Sequence, residues 1–418
     1  MRSISRRDLL GAGAGAAAAV GLAACGAEKA GGHKASAEAT GKGAVGKGNA
    51  AGPPQRPMKL IGDGSTAYTG KQPNQPAAPV RLEPGQTPPQ FVIFSWDGAG
   101  EVGTGLFDRF LDLAKQHDAG MTFFLSGLYL LPESKKDLYH PPNNPVGASA
   151  IGYLSDEHIK ETLACVRRAW NEGHEIGTHY NGHFCSGSGS VGNWTSADWR
   201  SEIDQAVDFV TKWRTNCSTP DADPLPFDYR KELVGSRTPC LLGQKQLLPT
   251  AAALGWRYDA SSPGGLQIWP TKKVGLWDFP LQGIPFPGHT FEVLSMDYNI
   301  LANQSKNSTH GMTSKYPAWR KQATESYMAG FKRAYETNRA PFFIGNHMET
   351  WNGGIYMDAV EDALKQIAGA GHKDVRLVSF RQFADWLDVQ DPAILGKLQS
   401  LNVGEQPAGG WNSYLKAA

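Results

Sequence analysis

The 418-residue chain carries almost no net charge, 41 Lys and Arg against 40 Asp and Glu for a formal +1. That balance excludes the basic surface with which nucleic-acid binders neutralise phosphates, and it offers nothing to hold the protein electrostatically on an acidic bilayer. Beyond residue 24 there is no apolar run of about 20 residues, the length a spanning helix needs. No internal repeat is visible. Cysteine is scarce, five in all, and none shows the Cys-x-x-Cys spacing of a zinc or thiol-redox motif. Between residues 26 and 88 large apolar side chains are nearly missing. Such a stretch cannot bury enough surface to offset its ordering entropy and is expected to be a disordered tether.

What is present begins at the N-terminus. Ser5-Arg6-Arg7-Asp8-Leu9-Leu10 sets a twin arginine before a Gly- and Ala-rich apolar stretch that ends in Leu22-Ala23-Ala24-Cys25-Gly26. Residues 1–24 are therefore expected to be a twin-arginine signal peptide of the lipoprotein type. Cys25 would take the lipid and hold the exported protein on the outer face of the cytoplasmic membrane. The segment 25–88 is then anchor and tether, 89–390 one large domain, and 391–418 a C-terminal extension. Cys165, Cys185, Cys217 and Cys240 fall in the domain. Outside the cytoplasm they could form two disulfides, with three pairings open, or remain buried thiols.

Within the domain, apolar runs and helical periodicities alternate. Strands are expected at 91–96, 121–124, 174–178, 257–258, 341–345 and 376–379. Helices are expected at 105–116, 157–172, 199–215, 245–254, 356–370 and 381–387. That alternation indicates an α/β fold with parallel strands wrapped by helices, whose chemistry sits at the carboxyl ends of the strands. The rule selects Asp97, the pair His179 and His183, Arg237 and His347. Two histidines four residues apart can face one ion when the loop between them turns once.

These residues stand in a series of short strings. Ser95-Trp96-Asp97-Gly98-Ala99 follows Pro89-Gln90. Further on come Gly120-Met121-Thr122-Phe123-Phe124, Gly173 through His183, Arg237-Thr238-Pro239, and Gly255-Trp256-Arg257-Tyr258-Asp259-Ala260-Ser261-Ser262. Gly275 through Pro280 and Asn338-Arg339-Ala340-Pro341-Phe342 complete the series. In order and spacing the chain resembles the polysaccharide deacetylases of the NodB-homology type, carbohydrate esterase family 4, most closely the animal-type chitin deacetylase branch. The resemblance implies a distorted (β/α) barrel and metal-dependent removal of acetyl groups from N-acetylated sugars, with zinc or cobalt as the ion. It implies His179 and His183 as metal ligands, His347 as the acid, and Arg237 as the partner that keeps a carboxylate ionised. It places the Cys240 N–H at the oxyanion and Asp297 as the group orienting His347.

The family pattern has two adjacent aspartates where this chain has one. If Pro89-Gln90 fixes the register, Asp97 is the general base and Gly98 replaces the carboxylate ligand, leaving two histidines and a need for another carboxylate such as Glu101. If Gly98 matches the motif's glycine, Asp97 is the ligand and Trp96 has replaced the base. Strand alternation forbids both at once. Three functions follow: an N-deacetylase of a cell-wall or extracellular polysaccharide, a glycan-holding lipoprotein without turnover, or a two-carboxylate glycosidase. The last lacks a second carboxylate at a strand end. Trp194, Trp199, Trp277 and Trp351 could stack on sugar rings or simply pack.

Overall fold

A computed structural model describes residues 58–416; Arg6, Arg7, Cys25 and the expected signal peptide lie outside them. The described chain opens with a hairpin, β1 (Lys59–Ile61) and β2 (Thr66–Tyr68). It then runs through β3 (Gln90–Asp97), α1 (Leu106–Gln116), β4 (Met121–Leu125), α2 (Asp156–Asn171), β5 (Glu175–Thr178), α3 (Ser196–Thr211), α4 (Trp213–Asn216), α5 (Tyr229–Glu232), β6 (Gly235–Ser236), α6 (Gln244–Ala253) and β7 (Tyr258–Asp259). The second half comprises β8 (Lys272–Lys273), β9 (Leu276–Asp278), β10 (Gly283–Pro285), β11 (Glu292–Leu294), α7 (Asp297–Ser305), α8 (Tyr316–Glu336), β12 (Phe342–His347), α9 (Trp351–Gly369), β13 (Val375–Leu377), α10 (Phe380–Val389), α11 (Pro392–Ser400) and α12 (Gly410–Lys416). No helix among the described residues is long and apolar enough to cross a membrane.

Nine strands form one sheet in the order β12-β3-β4-β5-β6-β7-β9-β8, with β13 added against β3. All its pairings are parallel except β8 with β9. The sheet curls until its ends nearly meet. Phe279 N–H donates to Asp259, Ser295 N–H to Gln282, and Gly345 N–H on β12 to Ser295, all through backbone carbonyls. The result is a distorted (β/α) barrel, closed on one side by single hydrogen bonds rather than by full strands.

Strand alternation separates two cores. Val92, Phe94 and Trp96 of β3 face the helical layer, where Trp96 packs on Phe110 and Phe123 at 4.8 and 5.3 Å between ring centres. Phe91 and Ile93 face the other way and join Phe124, Tyr258, Phe279, Phe343, Phe380 and Phe383. β3 is buried along its whole length, as a strand covered on both faces requires. Helix starts are secured locally: Ser155 caps α2, and capping boxes Thr195/Asp198 and Ser379/Gln382 begin α3 and α10.

The ordered chain begins well before residue 89. Ser65, Thr66 and Ala67 are fully buried, Trp213 Nε1–H donates to the Ser65 carbonyl at 2.7 Å, and Leu82 N–H donates to Gln390 Oε1 at 2.8 Å. Residues 58–88, expected to belong to the tether, are thus part of the folded chain. A segment without its own core can still bury a few residues against one built elsewhere. Likewise, residues 391–416 are not an appendage, because Ile394, Leu398 and Leu415 lie in the second core. The helix expected at 199–215 stops at Thr211, where Lys212 leaves helical geometry at φ −130°. Of the domain's cysteines, Cys185 and Cys240 form a disulfide while Cys165 and Cys217 are free thiols.

Candidate active site

Register brings the candidates to one rim. Across neighbouring strands His347 pairs with Asp97, Asp97 with Phe124, Leu125 with Thr178, Thr178 with Ser236 and Ser236 with Asp259. The carboxyl ends of β12, β3, β5, β6 and β7 therefore present His347, Asp97, His179, Arg237 and Asp259 around one opening. Asp97 and Ser95 share the face of Phe91 and Ile93, opposite to Trp96.

Arg237 is the centre of this arrangement. Its guanidinium is fully buried, lies 4.9 Å from the Phe124 ring centre and 5.7 Å from that of Phe380, and donates from Nε to the Ala260 carbonyl. Its Nη1 donates to Asp97 Oδ1 and to Ser95 Oγ, both at 2.8 Å. Burial pushes the Asp97 carboxyl upward, but Arg237, His179 and His347 outweigh it and hold the group below the ordinary aspartate range. Arg237 Nη2 is buried without a partner among the described residues.

His179 donates from Nδ1 to the Arg237 carbonyl at 2.8 Å, which leaves the Nε2 lone pair available. Burial lowers its pKa to about 4, so the ring is neutral. His183 lies 5.2 Å away between ring centres and is lowered to about 3, chiefly by burial and then by the neighbouring histidines. The loop between them turns through left-handed backbone at Tyr180 (φ 62°) and His183 (φ 58°). Beneath it, Tyr139 Oη accepts from Gly182 N–H at 3.0 Å and donates to the buried Glu202 carboxylate at 3.1 Å. Glu202 is raised to about 7, mainly by burial.

Asp297, at the start of α7, accepts His347 Nδ1–H on Oδ1 at 2.8 Å and His347 N–H on Oδ2 at 2.7 Å. Burial alone would lower the His347 pKa, but Asp297, Asp97 and Glu349 raise it to about 9. The imidazolium form therefore prevails at neutral pH, beside an ionised Asp97. Cys240 has φ 60°, and the backbone bonds of its turn run from Leu241 to Thr238 and from Leu242 to Pro239, so none uses the Cys240 N–H.

Other sequence candidates lie elsewhere. Glu101 spends its carboxylate on the N-terminus of α1, accepting from the N–H groups of Val102, Thr104, Gly105 and Phe107. It is not a third metal ligand. Trp194, Trp199 and Trp277 are buried, leaving Trp351, 5.2 Å from the His347 ring centre, as the aromatic at the opening. Sequence reasoning missed Ser95, which shares the face of Asp97, and the chain from Thr238 N–H to Ser261 Oγ to Asp259 Oδ1, at 2.8 and 2.6 Å. Asp259, raised to about 7 chiefly by burial, braces the Arg237 turn. The Tyr-Asp-Ala-Ser string was its visible signal.

A divalent ion of the implied kind needs a carboxylate beside His179 and His183. Asp97 is held by Arg237, Gly98 has no side chain, and Glu101 is engaged. Among the described residues, one group of three metal-capable donors lies within 4.8 Å: His183, Cys185 and Cys240. There the two sulfurs are bonded to each other. The residues present do not fit the two-histidine, one-carboxylate set.

No family model and no curated relative matches the chain. Solved structures similar to it include a polysaccharide deacetylase, so described, from Mycobacterium smegmatis (15% identity, 74% of this chain and 93% of that one, TM-score 0.44). A family 4 carbohydrate esterase from Streptomyces lividans, in complex with acetate, is 13% identical over 68% of this chain and 90% of that one, with TM-score 0.33. The peptidoglycan deacetylase PdaC from Bacillus subtilis is 11% identical over 72% and 92%, with TM-score 0.36. Likenesses at this level assign neither activity nor substrate to the chain.

Proposed function

We propose that the chain removes acetyl groups from an N-acetylated extracellular or cell-wall polysaccharide, as a member of the deacetylase family its motifs resemble. The observation that carries the reading is the pairing of Asp97 with His347 on adjacent strand ends, the first held by Arg237 at 2.8 Å and the second by Asp297 at 2.8 Å, an arrangement that favours an anion and a cation facing one opening. Amide hydrolysis needs both. The Asp97 carboxylate takes a proton from water attacking the acetyl carbonyl, the Cys240 N–H stabilises the developing oxyanion, and His347 protonates the departing amine. Arg237 keeps Asp97 ionised and aimed, and Asp297 orients His347. Asp97 shares its face with Arg237 while Trp96 packs into the helical layer, which supports Asp97 as the base and Gly98 at the place of the missing ligand.

A second reading, a site that holds glycan without turnover, is favoured by one specific observation: among the described residues no carboxylate joins His179 and His183 in a group that could hold a metal. The test is acetate release from N-acetylglucosamine oligomers by the protein from Met58 onward, with and without Zn²⁺ or Co²⁺. Loss of general-base catalysis in Asp97→Asn should lower release by roughly 10²–10⁴-fold, and His183→Ala separates any metal contribution. Retention of oligomers without acetate release would favour the second reading. Neither release nor binding would overturn both. Export by the twin-arginine route and anchoring through Cys25 would place the site beside such polymers; a Cys25→Ser chain should leave the membrane fraction.

A further inference from the structure

His183 sits against the disulfide. Its Nδ1 is 3.5 Å from Cys185 Sγ and 3.9 Å from Cys240 Sγ, and the two cysteine Cα atoms are 5.7 Å apart. Cys185 is exposed and Cys240 half-buried, so a reductant can reach the bond. In a tetrahedral zinc site, with Zn–S of about 2.3 Å and Zn–N of about 2.0–2.1 Å, sulfur and nitrogen ligands stand about 3.5–3.6 Å apart and two sulfurs about 3.8 Å apart. Both nitrogen–sulfur separations already fall near that edge. Only the sulfurs must part, by side-chain rotation on an unchanged Cα spacing.

We infer that reduction of the Cys185–Cys240 disulfide opens a thiolate metal site, formed by Cys185, Cys240 and His183, for Zn²⁺ or a similar soft divalent ion. The balance is simple. A dithiol reductant supplies two electrons and two protons, is itself oxidised to a disulfide, and leaves two cysteine thiols. The ion then displaces both S–H protons to solvent and binds the two thiolates and the His183 nitrogen, with the fourth position left to water. In the oxidised chain the sulfurs are neutral and bonded to each other, and the site is closed. Soft anionic donors would thus supply what the His179–His183 pair lacks. The inference stands whether or not the chain turns over a glycan.

The test uses protein from Met58 onward, reduced anaerobically with a dithiol and desalted. Co²⁺ should produce a thiolate-to-cobalt charge-transfer band saturating at one ion per chain, displaced by Zn²⁺ and lost on reoxidation. Cys185→Ser and Cys240→Ser should each abolish the band. His183→Ala should weaken binding at least about tenfold, the cost of losing even a group that only orients a ligand, and Cys165→Ser and Cys217→Ser should leave it intact. Equal Co²⁺ binding by the oxidised chain, no band from the reduced folded chain, or unfolding of the chain on reduction would each overturn the inference.

Discussion

Replacing Arg237 with Met removes the counter-charge of a carboxylate that is itself only 4% exposed. The flexible apolar side chain keeps most of the packing between Phe124 and Phe380, so the loss is chiefly electrostatic. Breaking a buried pair at one end costs about 3–5 kcal/mol, because the remaining charge is left uncompensated. Stranding the Ala260 carbonyl and Ser95 hydroxyl belongs within that range. The pH dependence separates charge from packing. In the wild type the Asp97 pKa lies below its unfolded value of 3.8, so its contribution is present above that value and is lost as pH falls through the folded one. In Arg237→Met burial acts without its largest counterweight, only His179 and His347 remaining, so the folded pKa is expected to rise, with the penalty full near neutrality and fading in acid. Urea unfolding of Arg237→Met, Asp97→Asn and the double variant from about pH 4 to pH 8 reads this directly. The double variant should be closer to wild type at pH 7 than Arg237→Met. A loss below about 1 kcal/mol, the size of an exposed pair, or one constant with pH, would refute a desolvated ion pair.

Four further outcomes are expected. Because the His347 pKa is about 9 against 6.5 unfolded, its stabilisation is full below pH 6.5 and is lost by about pH 9, amounting to at most about 3 kcal/mol. His347→Gln should remove that alkaline decline in chemical denaturation. Glu202 has the opposite consequence: an acid raised from 4.5 to about 7 binds its proton more tightly when folded, so stability falls across that interval, and Glu202→Gln should flatten it. Tyr139→Phe removes the hydroxyl that serves both the Gly182 N–H and Glu202 and should cost about 1–3 kcal/mol by thermal denaturation. At Gly98 (φ 62°) an added Cβ would meet Tyr129 at 3.6 Å, ordinary contact, and aspartate tolerates that backbone better than most residues. Gly98→Asp should fold with a penalty of about 1–2 kcal/mol and gain a Zn²⁺-dependent rise in Tm in the oxidised form; an unchanged Tm would count against the assigned register.

The parts of the fold legible in the sequence were those with local causes. FVIFSW and MTFF have strand length, strong β formers and loop signals behind them, and they became β3 and β4. The amphipathic spacing Ile159, Leu163, Val166 and Trp170 became the buried stripe of α2. Helix α8, at 21 residues, was not legible, because its buried face is built from Ala323, Thr324, Ser326, Gly330 and Ala334 beside Tyr327 and Phe331. Small and polar residues pack there without an apolar period. The hairpin at Lys59–Tyr68 was hidden for another reason: its burial depends on Trp213 and Leu225, far along the chain. At the site, residue types at strand ends were enough to nominate Asp97, His179, Arg237 and His347. Which cysteines pair, that Glu101 serves a helix terminus, and that Trp194 and Trp199 stack in the core depend on three-dimensional neighbours that no local pattern encodes.

The most direct test of the central claim is acetate release from N-acetylglucosamine oligomers as a function of pH, for the wild type and for Asp297→Asn. A base below 3.8 and an acid near 9 give a plateau through neutrality, with an alkaline decline as His347 loses its proton. Asp297→Asn should move that decline toward the ordinary histidine value of 6.5 and lower the plateau. An alkaline limb that stays in place in Asp297→Asn, with release undiminished, would contradict the assignment of His347 as the acid and of this rim as the site of deacetylation.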